Sequence, residues 1–226
     1  MLAACSLWPE LSVYVFTNRN QEQSRCSLCL CGERYDLYLM PNELWTIGHS
    51  THPLEEFLAW LKEFKIELLV DVRSYPGSRK MPWFNKEVLP AELEAAGISY
   101  FHILALGGRR KVAKDSVNTV WRHPAFRGYA DYMLNDPAFE EGLNELKKLA
   151  KKQRVCIMCS EVLWWRCHRS MISDRLKADG WHVHHIMGLG KEEEHPYTGA
   201  ARIVDGKLAY GAADGELPFA RSEEES

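Results

Sequence analysis

From Leu44 onward two hydrophobic patterns alternate. Short apolar or β-branched runs at 44–47, 68–72, 99–104, 154–158 and 181–186 read as strands. Between them apolar residues recur at helical spacing: Leu54, Phe57, Leu58, Leu61 and Phe64 after Pro53, then 90–96 closed by Gly97. A further helix carries Phe126, Tyr129, Ala130 and Met133. The next runs through Phe139, Leu143, Leu146 and Leu149, with Asn135 as its cap and four lysines near its end. A last helix spans 167–178 and stops at Gly180. Strands that alternate with helices predict an α/β fold: an open, mostly parallel sheet of about five strands flanked by helices. The run 68–72 is near-continuously apolar, as suits a strand covered on both faces. Residues 191–195 read as a charged loop, and Val204-Asp205-Gly206-Lys207 predicts a C-terminal hairpin.

This assigns 43–212 to a single α/β domain. Residues 1–42 read as an accessory or poorly ordered extension, and 213–226 as a flexible acidic tail. Cys26, Cys29 and Cys31, with Cys5, could supply thiolates to zinc, but they lack a second paired half. The start resembles a lipoprotein box at Leu2-Ala3-Ala4-Cys5 without the basic and apolar regions such a signal needs. No apolar run reaches about 18 residues, so no membrane span is expected. Seven cysteines in 226 residues form no closed disulfide framework of the small secreted kind, and a reducing cytoplasm is the expected compartment.

Chemistry concentrates where the strands end, which is where open parallel sheets bind ligands. The first strand leads to Gly48-His49-Ser50, the second to Arg73 and Arg79, the third to Gly107-Gly108-Arg109. The fourth delivers Cys159-Ser160-Glu161 and then Cys167-His168-Arg169. If the last helix starts near Arg166, Cys167 and His168 fall in its first turn. There free N–H groups and two flanking arginines would favour a thiolate. Cys159 alone could equally be a small core residue, and Cys156 reads as core. Net charge is −3, yet the section 72–130 holds ten cations against four acids, a local +6. Arg73, Arg79 and Arg109 suit bidentate recognition of phosphate or carboxylate. Trp83, Phe84, Tyr100 and Trp121 could stack on a base or simply fill the core.

The ordered motifs resemble the family called domain of unknown function 488. These are Thr46-Ile47-Gly48-His49-Ser50, Asp71-Val72-Arg73 with Pro76 and Ser78-Arg79, Leu106-Gly107-Gly108, Met158-Cys159-Ser160-Glu161, Cys167-His168-Arg169, and Gly180 with Val183 and His185-Ile186. The likeness runs roughly over 44–198 and implies an α/β fold but no reaction. Ser160 stands where family members commonly carry alanine.

The residues point first to an enzyme for a small anionic, phosphate-bearing or nucleotide-like substrate. Arg73, Arg79, Arg109, Arg169, His49 and Ser50 would bind it, Cys159 or Cys167 would be the nucleophile or redox thiol, and Glu161 with His168 would move protons. Two other readings stand beside it. Cys159 and Cys167 with His168, His184 or His185 could hold zinc or iron. The basic section could instead contact nucleic acid, with salt-sensitive affinity.

Overall fold

A computed structural model describes residues 42–210. The N-terminal extension with its four cysteines, and the acidic tail, lie outside the described residues. Eight strands and five α-helices follow one another: β1 (Glu43–Gly48), α1 (Leu54–Glu63), β2 (Leu68–Asp71), α2 (Leu89–Ala95), β3 (Ser99–His102), α3 (Pro124–Asn135), α4 (Pro137–Ala150), β4 (Val155–Cys159), α5 (Arg169–Ala178), β5 (His182–Gly188), β6 (Lys191–Glu194), β7 (Arg202–Val204) and β8 (Lys207–Ala209). Six strands form one sheet in the order β3-β2-β4-β1-β5-β6. All neighbours are parallel except β5 and β6. The fold is α/β.

Side-chain alternation divides the core into two layers. On one face Leu44, Leu68, Val70, Val155, Ile157 and Val183 pack against Tyr129 and Met133 of α3, Phe139, Leu143 and Leu146 of α4, and Met171, Ile172 and Leu176 of α5. On the other, Trp45, Ile47, Leu69, Cys156, Met158 and Ile186 meet Phe57, Trp60 and Leu61 of α1 and Leu89 and Leu93 of α2. Cys156 is core, as expected, and its thiol is pushed well up by burial. The alternation puts Cys159 on the α3–α5 side of the sheet. Among the described residues no helix is long and apolar enough to cross a membrane.

Four local expectations change. The sheet has a sixth strand, because the charged segment 191–194 pairs with β5 as an exposed antiparallel edge. Asn135 is the last residue of α3, and its amide donates to the Asp131 carbonyl. The cap of α4 is Asp136, whose carboxylate accepts from the Ala138 N–H at 2.9 Å. The helix after β4 starts at Arg169, two residues later than expected, behind a 3₁₀ turn at Trp164–Arg166. The third strand is shorter than 99–104, since Leu104–Leu106 turns into a 3₁₀ segment. The hairpin forms as expected: β7 and β8 pair antiparallel, and Asp205 and Gly206 take φ of 49° and 74°.

Candidate functional site

β1, β2 and β4 end side by side. Gly48 lies opposite Cys159, and Asp71 opposite Met158, so their loops leave from one edge. The His49 N–H donates to the Cys159 carbonyl and the Ser50 N–H to the Ser160 carbonyl, which ties the first loop to the fourth. Gly48 is required by close approach, because a Cβ there would sit 1.8 Å from the Glu161 carbonyl oxygen.

The Cys159 Sγ, Cys167 Sγ and His168 Nδ1 atoms all lie within 4.8 Å of one another. Nδ1 is 3.8 Å from the Cys159 sulfur and 3.6 Å from that of Cys167. The other ring nitrogen, Nε2, is 3.0 Å from the Val72 carbonyl. A carbonyl only accepts, so Nε2 carries a proton, and Nδ1 is the ring nitrogen that faces both sulfurs. Gly108 makes room for the ring: a Cβ there would come 3.0 Å from Nδ1. Tyr129 stands edge-on to the imidazole at 5.1 Å. Both thiols are nearly inaccessible, while His168 is half-buried.

The two thiols are unequal. The hydrogen bond with Cys167, and then burial, push Cys159 up to about 12. Burial would push Cys167 up too, but the Cys159 hydrogen bond, the Arg169 charge and the Arg169 backbone N–H together bring it down to about 6. The pair is thus asymmetric, and Cys167 is the more readily ionised of the two. Cys167 lies ahead of α5 rather than inside it. Its thiolate is favoured by the first helical N–H and by Arg169, in place of the full first turn expected from sequence.

Arg169 is 1% exposed, and its hydrogen bonds among the described residues go to a hydroxyl and two carbonyls. Its Nη1 donates to Thr46 Oγ1 at 3.1 Å, its Nη2 to the carbonyls of Glu161 and Val162, and its Nε has no hydrogen-bond partner. It is therefore a buried support of the β4–α5 loop and a neighbour of Cys167. A chain of buried groups leads away from it. Thr46 Oγ1 lies 2.7 Å from His185 Nδ1, His185 Nε2 lies 2.9 Å from His195 Nδ1, and His195 Nε2 lies 3.1 Å from Asp174 Oδ1. Asp174 also accepts from the Thr198 N–H and hydroxyl and from the Tyr210 hydroxyl. Arg169 donates to the chain at one end, and Asp174 accepts from it at the other. Trp164 stacks on His185 at 4.4 Å and 7°. Asp174 and His195 carried no motif signal, and Thr46 stood in a motif without any sign of this contact.

Arg73 also departs from expectation. Its guanidinium is 5% exposed and spent on Asp71, on the Phe84 carbonyl at 2.7 Å and on His49 Nε2 at 3.2 Å, which leaves no fork for an anion. His49 is buried beneath Phe84, and burial followed by the Arg73 charge lowers it to about 4. It props Arg73. Ser50 is half-buried in the left-handed region, with φ of 44°. Arg79, Glu161 and Arg109 are exposed. The Arg109 guanidinium lies 5.6 Å above the Tyr75 ring, and its neighbour Gly108 touches His168. His184 stacks on Trp45 and faces Glu192 on the opposite side of the sheet from Cys159, so it is no partner of the thiols; His185 belongs to the buried chain. Phe84 is core, Tyr100 donates to Asp71, and Trp121 stacks on Phe126.

Residues 53–176 match the family described as Domain of unknown function DUF488. The chain belongs to the DUF488 family. The match takes in Arg73, Gly107 to Arg109, both cysteines, His168, Arg169 and Asp174. No curated protein and no solved structure matches this DUF488 chain. Among its described residues, one group of three metal-capable side chains converges, and it is Cys159, Cys167 and His168.

Proposed function

We propose that this DUF488 protein is a thiol-dependent enzyme for a small anionic, phosphate-bearing or nucleotide-like substrate, with Cys159, Cys167 and His168 as its reacting centre. One observation carries the reading: at the carboxyl edge of a parallel sheet, two unequal thiols and an oriented imidazole converge within 4.8 Å. A purely structural core would have no need of a buried guanidinium near the Cys167 sulfur, since apolar side chains fill such space without the desolvation penalty.

Arg109 and Arg79 are the anion-binding groups that remain after Arg73 is paired. Arg109 is next to the glycine that packs on His168, so its exposed side chain starts beside the centre, with Tyr75 beneath it. Glu161, exposed two residues after Cys159, is the free carboxylate of the same loop and the proton carrier of this reading. We place the enzyme in the cytoplasm, where a reducing environment keeps such thiols free.

The test is a screen of phosphate-bearing metabolites and nucleotides by mass spectrometry, followed by kinetics on variants. Cys159→Ser, Cys167→Ser and Glu161→Gln should each lower kcat/KM by about 100-fold or more, the usual range for removing a nucleophile or proton carrier. Full activity in all three would overturn the assignment.

A further inference from the structure

We propose that Cys159, Cys167 and His168 bind a divalent transition-metal ion of the zinc class and leave a fourth position for water or substrate. This rests on the reading of the same cluster as the reacting centre, and it assigns the thiols a definite task there. Bonds of about 2.3 Å to sulfur and about 2.0 Å to nitrogen, at tetrahedral angles, set nitrogen and sulfur about 3.5 Å apart. The two nitrogen–sulfur separations in the cluster are 3.6 and 3.8 Å. A hydrogen-bonded thiol–imidazole triangle need not match both edges of a tetrahedron.

The surroundings agree. A ligating histidine almost always gives its other N–H to a carbonyl or carboxylate, which fixes the ring and raises its basicity; here Nε2 meets the Val72 carbonyl, and the ring occupies the space that a side chain at position 108 would need. Two thiolates and an imidazole are soft to borderline donors and select zinc, cobalt or iron over magnesium or calcium. Three protein ligands leave the open position typical of a catalytic centre. On binding, two sulfur–metal bonds and one nitrogen–metal bond form, and each thiol still protonated releases its proton to solvent. An anionic substrate or hydroxide could then take the fourth position, with Glu161 as the free carboxylate on the same loop.

The experiment uses the full chain, stripped by chelator under reducing conditions and titrated with Co²⁺. Expected are one tightly held ion that depends on this cluster, a thiolate-to-cobalt charge-transfer band and intense tetrahedral d–d bands. His168→Ala and Cys167→Ser should each weaken binding by more than about 100-fold, since loss of an outer partner alone costs 10–100-fold. Cys156→Ser, and serine at Cys5, Cys26, Cys29 and Cys31 together, should leave the bands unchanged. Absence of the bands, their survival in His168→Ala, or their loss when the four N-terminal cysteines are replaced would overturn the metal site. Should the ligand variants fail to fold, zinc-edge X-ray absorption on the wild-type chain decides. Two sulfurs with nitrogen and oxygen support the site, and four sulfurs or oxygen alone overturn it. Turnover by metal-free protein would remove the metal and leave the enzyme standing. Full turnover by Cys159→Ser, Cys167→Ser and Glu161→Gln would remove the enzyme reading.

Discussion

Thr46→Val isolates the buried chain behind the site. Thr46 is fully buried, and its hydroxyl accepts from Arg169 Nη1 while meeting His185 Nδ1 at 2.7 Å. Valine keeps the volume, the β-branch and the strand preference, so neither a cavity nor a change of propensity enters. What changes is two buried polar groups: a charged guanidinium N–H and an imidazole nitrogen each lose their partner. At about 1–3 kcal/mol for each unsatisfied group, and toward the upper end for the charged one, the loss is about 3–5 kcal/mol. The roughly 170 described residues carry an unfolding entropy of about 0.35 kcal/mol/K, so the melting temperature should fall by roughly 8–14 °C. Thr46→Ser keeps the hydroxyl and removes one methyl, and should cost about 1 kcal/mol, or roughly 3 °C. Calorimetry on the full chain reads both. A valine variant that melts no lower than the serine variant would refute the claim that Thr46 links Arg169 to Asp174.

Gly48→Ala drives a Cβ onto the Glu161 carbonyl, where only backbone can yield, and should destabilise the domain by about 3 kcal/mol or more. Urea unfolding within 1 kcal/mol of wild type would contradict the close approach. Asp131 accepts from the Ala113 N–H, Ser116 hydroxyl and Asn118 amide, which pins the segment that follows Arg109. Asp131→Ala should therefore expose Lys111 and Lys114 to trypsin at least about tenfold faster, since each lost bond is worth about 1 kcal/mol; an unchanged cleavage rate counts against the pin. Burial, then the charges of His195 and Arg169, hold His185 well below its ordinary range, so the folded state keeps it neutral where the unfolded chain protonates it. Its contribution is complete above about pH 6.5 and shrinks as pH falls, approaching about 1.4 kcal/mol per pH unit. His185→Asn should flatten the pH dependence of urea stability between pH 6.5 and 5, and an equally steep variant would refute the assignment.

Much of the architecture was legible because periodicity and turn chemistry are local. Leu68 to Val70 announce a strand buried on both faces, and Asp205-Gly206 announce a turn with positive φ. β6 was not legible, since Lys191 and three glutamates show neither apolar alternation nor β-branching. Its side chains are all exposed, and the same charges that hide it in sequence discourage further pairing along the sheet's edge. The thiols and His168 were legible because Cys-x-Glu and Cys-His-Arg crowd reactive types together. The pairing of Arg73 was not legible, because its partner, Asp71, sits at the end of an otherwise apolar strand run.

The buried chain escaped for a different reason. Thr46, His185, His195 and Asp174 stand on β1, on β5, just past β6 and on α5, and each alone is an ordinary polar residue. Only the parallel register of β1 with β5, which sets Thr46 opposite His185, turns them into one structure. The DUF488 match holds the two charged ends, Arg169 and Asp174, together with the thiols, while the three links Thr46, His185 and His195 lie outside residues 53–176. Two buried opposite charges that do not touch must be joined by oriented dipoles or lose stability. The flanking strands supply those dipoles. Substitutions in the links should therefore reach the thiols only through the placement of Arg169, lowering stability and reactivity together, whereas substitutions at the thiols should remove reactivity and leave the links intact.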